Sequence, residues 1–281
     1  MLELGNMNKT LEKVIRISGK LPGTKSVILV GVHGNESCGI DAINKLLPDL
    51  KIDQGHLTIA FGNPRAIEMN TRLTEENLNR MFLPEQELTD LQKRSYEYKR
   101  AIFLKNILSD SEVLLDIHAS NNPNSKPFII CEQNSRDIYK YIPIDTVVNG
   151  FDLVEPGGTD YFMNSIGKTG LCIECGYIND LKSTKVAIDS ILAFLKIRGH
   201  INQRIQSKKQ NVFKVFLLYK TSTDNFTLLK PLADFEQVKK NQIIGLDGVN
   251  EVTAPEDSII LFAKNTSLKG SEAFLLGRRV K

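Results

Sequence analysis

His33-Gly34-Asn35-Glu36 follows the apolar run 27–32. A strand ending in His-x-x-Glu sets an imidazole and a carboxylate at the C-terminal edge of a sheet, where the ligand clefts of open α/β sheets lie. One nitrogen and one oxygen suit Zn²⁺, and catalytic zinc often takes two His and one Glu. A turn with an incidental polar pair is the plain alternative. The other histidines are His56, His118 and His200. His56 opens a strand after Gln54-Gly55, a surface position. His200 lies just past a helix end, where a cation or cap role is expected. His118 ends a second apolar strand, 113–118, so it can converge with His33 on one metal; a satisfied core histidine is the alternative. Asp116 shares a strand face with His118 and can orient its ring.

Glu174 stands alone in the apolar run 171–176. A carboxylate there is costly if buried without a partner. At a cleft it can titrate high and act as a general base; an ion pair with an arginine is the alternative. Cys172 and Cys175 have CxxC spacing, but no second CxxC exists, and residues three apart in a strand face opposite sides. Residues 63–84 read as a loop carrying Arg65, Arg72, Asn79 and Arg80. Arginine forks bind carboxylates, and an arginine near a reacting carbonyl stabilises developing oxyanion charge. Arg65 is expected at the surface.

These residues need a scaffold. Residues 13–20, 26–33, 56–63, 113–119, 127–132 and 170–176 read as strands. Residues 38–47, 85–108 and 180–197 read as helices, the last with an apolar stripe at helical spacing. Alternating strands and helices predict an α/β domain with a largely parallel sheet. After residue 206 short strands and turn signals take over, which predicts a catalytic unit over 1–208 and a small all-β unit over 209–281. Basic residues number 36 and acidic ones 33, too even a balance for a nucleic-acid or anionic-membrane partner. No apolar run approaches the roughly 20 residues that span a bilayer, and residues 1–10 lack the apolar core of a secretory signal. Four cysteines make no disulfide framework. A cytoplasmic location is expected. A homo-oligomer is compatible with the sequence, with 85–108 as an interface or a solvated face.

Five motifs in order carry a resemblance: Gly31-Val32-His33-Gly34-Asn35-Glu36, Gly62-Asn63-Pro64, Asn79-Arg80-x-Phe82, Asp116-Ile117-His118 and Ile173-Glu174-x-Gly176. Together they resemble the succinylglutamate desuccinylase/aspartoacylase family, relatives of the zinc carboxypeptidases. The resemblance spans residues 25 to 200, and more weakly the remainder. It implies a central mixed, largely parallel sheet flanked by helices, with a small C-terminal all-β domain. It also implies one Zn²⁺ per chain on His33, Glu36 and His118, with Glu174 as the general base. Arg72 would polarise the scissile carbonyl, and Asn79 and Arg80 would grip the α-carboxylate of the product amino acid. Segments 240–245 and 252–257 look like the family's β-domain, which narrows the active-site mouth.

Two departures stand out. Asn77 replaces the usual Asp of Asp-x-Asn-Arg; it can accept a hydrogen bond from the first zinc histidine but brings no charge. Asn164, on the substrate side, stands where aspartoacylase has a second substrate arginine, ten residues before Glu174, which argues against aspartate as the product. The expected reaction is hydrolysis of the amide of a small N-acyl amino acid. A zinc carboxypeptidase acting on small peptides and a non-catalytic carboxylate- or metal-binding module remain the alternatives.

Overall fold

The computed structural model describes residues 13–280. Strand β1 (Val14–Ser18) leads into β2 (Leu21–Val30), helix α1 (Cys38–Leu46) and β3 (Gln54–Phe61). Helices α2 (Pro64–Met69), α3 (Asp90–Arg94) and α4 (Tyr96–Ser109) precede β4 (Val113–Ser120) and β5 (Phe128–Cys131). Next come α5 (Arg136–Tyr139), β6 (Thr146–Asn149), α6 (Phe151–Val154), α7 (Thr159–Ser165), β7 (Thr169–Tyr177) and α8 (Leu181–Ile197). The chain ends in strands β8 (Asn211–Lys220), β9 (Phe226–Leu228), β10 (Gln237–Val238), β11 (Ile243–Asp247), β12 (Asn250–Thr253), β13 (Ser258–Leu261) and β14 (Glu272–Arg279).

Eleven of these strands form one mixed sheet in the order β1-β3-β2-β4-β7-β5-β6-β8-β14-β13-β10. The run β3-β2-β4-β7 is parallel throughout. Every residue of β4 is buried, as expected for a parallel strand covered on both faces. The alternation of its neighbour β2 sorts the two faces. Ile28 and Val30 pack with Ile43 of α1 and with Ile191 and Phe194 of α8. Val27 and Leu29 pack with Ala101, Leu104 and Leu108 of α4. Burying each such leucine contributes about 1.5–3 kcal/mol.

Residues 85–108 do not form the single helix that their charge-rich pattern predicts. A 3₁₀ turn (Glu85–Glu87) precedes α3 and α4, which meet at Ser95 in extended geometry. Thr89 and Ser95 each accept a hydrogen bond from a backbone N–H of the following first turn. A hydroxyl that satisfies such a donor starts a new helix rather than continuing the old one. Residues 63–84, read as a loop, contain the short helix α2, with Pro64 at its first position and Asn63 as its cap.

Beyond residue 209 the sheet continues: β8 pairs parallel with β6 and antiparallel with β14. A separate antiparallel sheet, β12-β11-β9, lies beside it. Phe226, Ile244, Ile260 and Phe274 centre a core drawn wholly from this last segment. A second cluster joins Phe128 and Val148 to Val215 and Leu275, uniting both segments. No helix among the described residues is long and apolar enough to cross a membrane.

Candidate active site

The turn after β2 brings Glu36 back toward His33, with Glu36 N–H bonded to the His33 carbonyl. Gly34 permits the turn. A Cβ there would lie 2.0 Å from the Ala66 carbonyl carbon of α2, far inside contact distance. His118 arrives on the neighbouring strand β4. The Glu36 carboxylate sits between the two rings, 2.7 Å from His33 Nδ1 and 2.9 Å from His118 Nδ1. Ala119 N–H (3.1 Å) and Arg72 Nη1 (3.0 Å) also donate to it. One ligand atom from each of His33, Glu36 and His118 lies within 4.8 Å of the others, and all three residues are buried.

The outer ring nitrogen of His33 fixes its tautomer. His33 Nε2 lies 3.1 Å from Asn77 Oδ1. The same oxygen accepts Asn79 N–H at 3.0 Å, which sets the amide's orientation. An amide oxygen can only accept, so Nε2 carries the proton and Nδ1 is left to ligate. On the other side, Asp116 Oδ2 lies 3.1 Å from His118 Nε2 and accepts Thr159 Oγ1 at 2.5 Å. Two imidazole nitrogens and a carboxylate oxygen are a donor set that would suit zinc, with the His33 ring held from behind by Asn77 and the His118 ring lying against Asp116. Burial opposes ionisation of Glu36, yet the two imidazoles hold its carboxyl well below the usual range. For His118, burial is outweighed by Asp116 and Glu36, which push it well above the usual histidine range.

Glu174 on β7 stands in register with His118 on β4. It is buried, and its Oε2 has no partner among the described residues. Burial, and then the negative charge of Glu36, push its carboxyl up to about 8. Glu174 faces a cavity of about 530 Å³ that also takes in His33, Glu36, His118, Arg72 and Asn79. That volume suits a small organic ligand.

Arg80 also lines this cavity. Its Nε and Nη2 donate to Glu272 (3.1 Å each), Nη2 also to Glu155, and Nη1 to the Asn79 carbonyl (2.7 Å). One guanidinium N–H has no partner among the described residues. Asn164 is not on the cavity wall. Its Nδ2 donates to Asp152 Oδ2 (2.9 Å), and its Oδ1 accepts from Asn134 and from Gly170 N–H. His56 is exposed. His200, expected as a cation or cap, is fully buried with Nδ1 on the Gln54 carbonyl, and burial lowers its pKa. The C-terminal segment closes the cavity with Leu218, Leu228, Leu232, Phe262, Lys264 and Phe274. Segments 240–245 and 252–257 belong to the same C-terminal segment but are not themselves on the cavity wall.

Sequence reasoning missed the residues that hold the loops. Glu97 and Arg100 on α4 are fully buried. Glu97 accepts from Asn63 Nδ2, from Thr74 and from the backbone N–H groups of Glu75 and Glu76. Arg100 donates to the carbonyls of Phe61 and Gly62. The available signal was phase, since residues 97, 100, 101, 104 and 108 share one face of α4.

The family model described as "Succinylglutamate desuccinylase/Aspartoacylase catalytic domain" matches residues 22–196. The chain belongs to this family. A succinylglutamate desuccinylase of Pseudoalteromonas atlantica is 22% identical over 93% of this chain and 83% of its own length. A probable aspartoacylase of Nostoc sp. is 28% identical over 62% of this chain and 65% of its own. Among solved structures, the succinylglutamate desuccinylase of Vibrio parahaemolyticus superposes with a TM-score of 0.80 at 20% identity, covering 95% of this chain and 86% of the other. The shared fold agrees with the mixed sheet, flanking helices and small antiparallel sheet described above.

Proposed function

We propose that this chain is a zinc-dependent deacylase that hydrolyses the amide of a small N-acyl amino acid, with one Zn²⁺ held by His33, Glu36 and His118. The observation that carries the reading is the convergence of three buried ligand atoms beside an unpartnered buried carboxylate, in one cavity of small-molecule size. Zinc in such a site supplies Lewis acidity toward water and a carbonyl oxygen. Glu174 takes the proton from the attacking water as the oxygen bonds to the carbonyl carbon. It returns that proton to the amide nitrogen as the carbon–nitrogen bond breaks. Arg72, held by one Nη against Glu36, turns its other donors to the carbonyl oxygen as that oxygen gains negative charge. The Asn79 side-chain amine and the free N–H of Arg80 face the α-carboxylate of the amino acid. Asn164 acts on the substrate side through Asp152. All four cysteines are buried free thiols, which supports a reducing, cytoplasmic setting.

The test is metal analysis of the purified protein together with a hydrolysis screen. The panel holds N-acetyl, N-formyl and N-succinyl amino acids and short peptides, each run beside Glu174→Gln. Zinc near one per chain and Glu174-dependent release of a free amino acid are expected. Hydrolysis of peptides alone would replace the reading with a carboxypeptidase. Full activity in Glu174→Gln would remove Glu174 as the base.

A further inference from the structure

The charges on the cavity wall do not balance locally. Arg72 is matched by Glu36, and Arg80 by both Glu155 and Glu272. Lys230 pairs outward with Glu236, and Lys264 lies on the opposite wall among Arg72, Arg80 and Glu272. On the wall formed by α6 and α7, Asp152 and Asp160 remain. Asp152 receives only the neutral side-chain amide of Asn164. Asp160 faces the cavity, is 91% buried by its 9% exposure, and receives no side chain among the described residues. Burial, and then the charge of Asp152, push Asp160 up to about 7. A buried carboxylate beside a second one is costly without a cation. Among the described residues the only group with metal-ligand spacing is His33, Glu36 and His118, so the acidic wall is set for an organic cation.

Its position says which part of a substrate it meets. A Cβ on Gly158 would lie 2.6 Å from Asp160 Oδ1 and 3.3 Å from Asn79 Oδ1. Asp160 therefore sits beside Asn79, at the amino-acid end of the cavity in the deacylase reading, on which this inference rests. We infer that the amino-acid half of the substrate carries a cationic side chain, an ammonium or guanidinium group that docks between Asp152 and Asp160. The acylated substrate is then a basic or diamino acid rather than an acidic one. Arg80 agrees with this assignment, because its two glutamates leave no bidentate fork for a side-chain carboxylate.

Calorimetric titration of the zinc-loaded protein with L-ornithine, L-norvaline and L-glutamate reads recognition apart from hydrolysis. Ornithine should bind at least about tenfold tighter than norvaline, which has the same chain without the charge. Asp160→Asn and Asp152→Asn should each cut that ratio at least about fivefold. Thermal unfolding of both variants checks their folding; Asp160→Asn removes an unpaired buried charge and should not lower Tm. Equal binding of ornithine and norvaline, a preference for glutamate, or no binding of any of the three would overturn the inference. Hydrolysis of the N-acetyl forms, run in parallel, separates the two claims. Cation-selective binding without hydrolysis would sink the deacylase reading and leave the cation site standing. Hydrolysis without cation selectivity would do the reverse.

Discussion

Glu97 never reaches the cavity, yet its replacement should be felt there. Its two carboxylate oxygens collect donors from the segment that carries both Arg72 and Asn77. Oε1 accepts Asn63 Nδ2 (3.1 Å), Thr74 N–H (2.9 Å) and Thr74 Oγ1 (2.6 Å). Oε2 accepts the N–H groups of Glu75 (3.3 Å) and Glu76 (3.2 Å). Glu97→Gln keeps the shape but turns one oxygen into an amine facing two backbone donors. Hydrogen bonds to a charged group contribute about 1.5–3 kcal/mol each. Glu75 is exposed and Glu76 half-buried, so water recovers part of that, leaving a loss of about 2–3 kcal/mol. For a chain of this size that is a fall in Tm of about 4–12 °C.

A loosened loop frees Asn77 from the ring of His33, so zinc affinity should fall about tenfold, as when an outer-shell partner is lost. The assays are thermal unfolding, and zinc competition against a chelator at a temperature where the variant is fully folded. Lower Tm with unchanged zinc affinity would refute the coupling and leave Glu97 as a fold residue only. There is also an acid signature. Burial opposes ionisation of Glu97, but its hydrogen bonds hold its pKa below the usual carboxylate value. Such a group contributes stability above its unfolded pKa and loses it as pH falls through the lower folded pKa. The wild type should therefore lose stability more steeply than Glu97→Gln as pH drops below about 4.3.

Asn77→Asp adds a charge behind the His33 ring, and should tighten zinc binding about tenfold in the same chelator competition; no change would mean that the Asn77 oxygen already does the work. Glu272→Gln removes one carboxylate from Arg80, so KM for substrates with a free α-carboxylate should fall several-fold while kcat holds. An unchanged KM in steady-state kinetics would detach Arg80 from carboxylate binding.

The candidate metal group was legible because each histidine follows or lies within a segment that reads as one apolar run, and because His33 and Glu36 are three residues apart. Asp116 was legible through the two-residue period of β4. The loop anchors were not, because charged residues within 85–108 read as solvated until the breaks at Thr89 and Ser95 rotate Glu97 and Arg100 inward. Nor was the acidic wall. Asp152 and Asp160 lie on separate short helices, α6 and α7, and neither helix was read from the sequence. Every described element after residue 206 is a strand, but local periodicity carries no information about whether a later strand joins an earlier sheet.

That continuity has a mechanical meaning. The cavity wall from β8 and β14 is tied through ladder hydrogen bonds to β6, β5 and finally β7, which bears Glu174. A wall knitted to the floor cannot swing open as a lid does, so ligand entry falls to loop and side-chain movement at the rim. The size limit on a ligand is then set by the bulk of Leu218, Phe262 and Phe274 rather than by a hinge angle. Trimming one of them should widen acceptance, whereas cutting the chain near residue 210 would strip β6 of its neighbour and leave a raw edge open to aggregation.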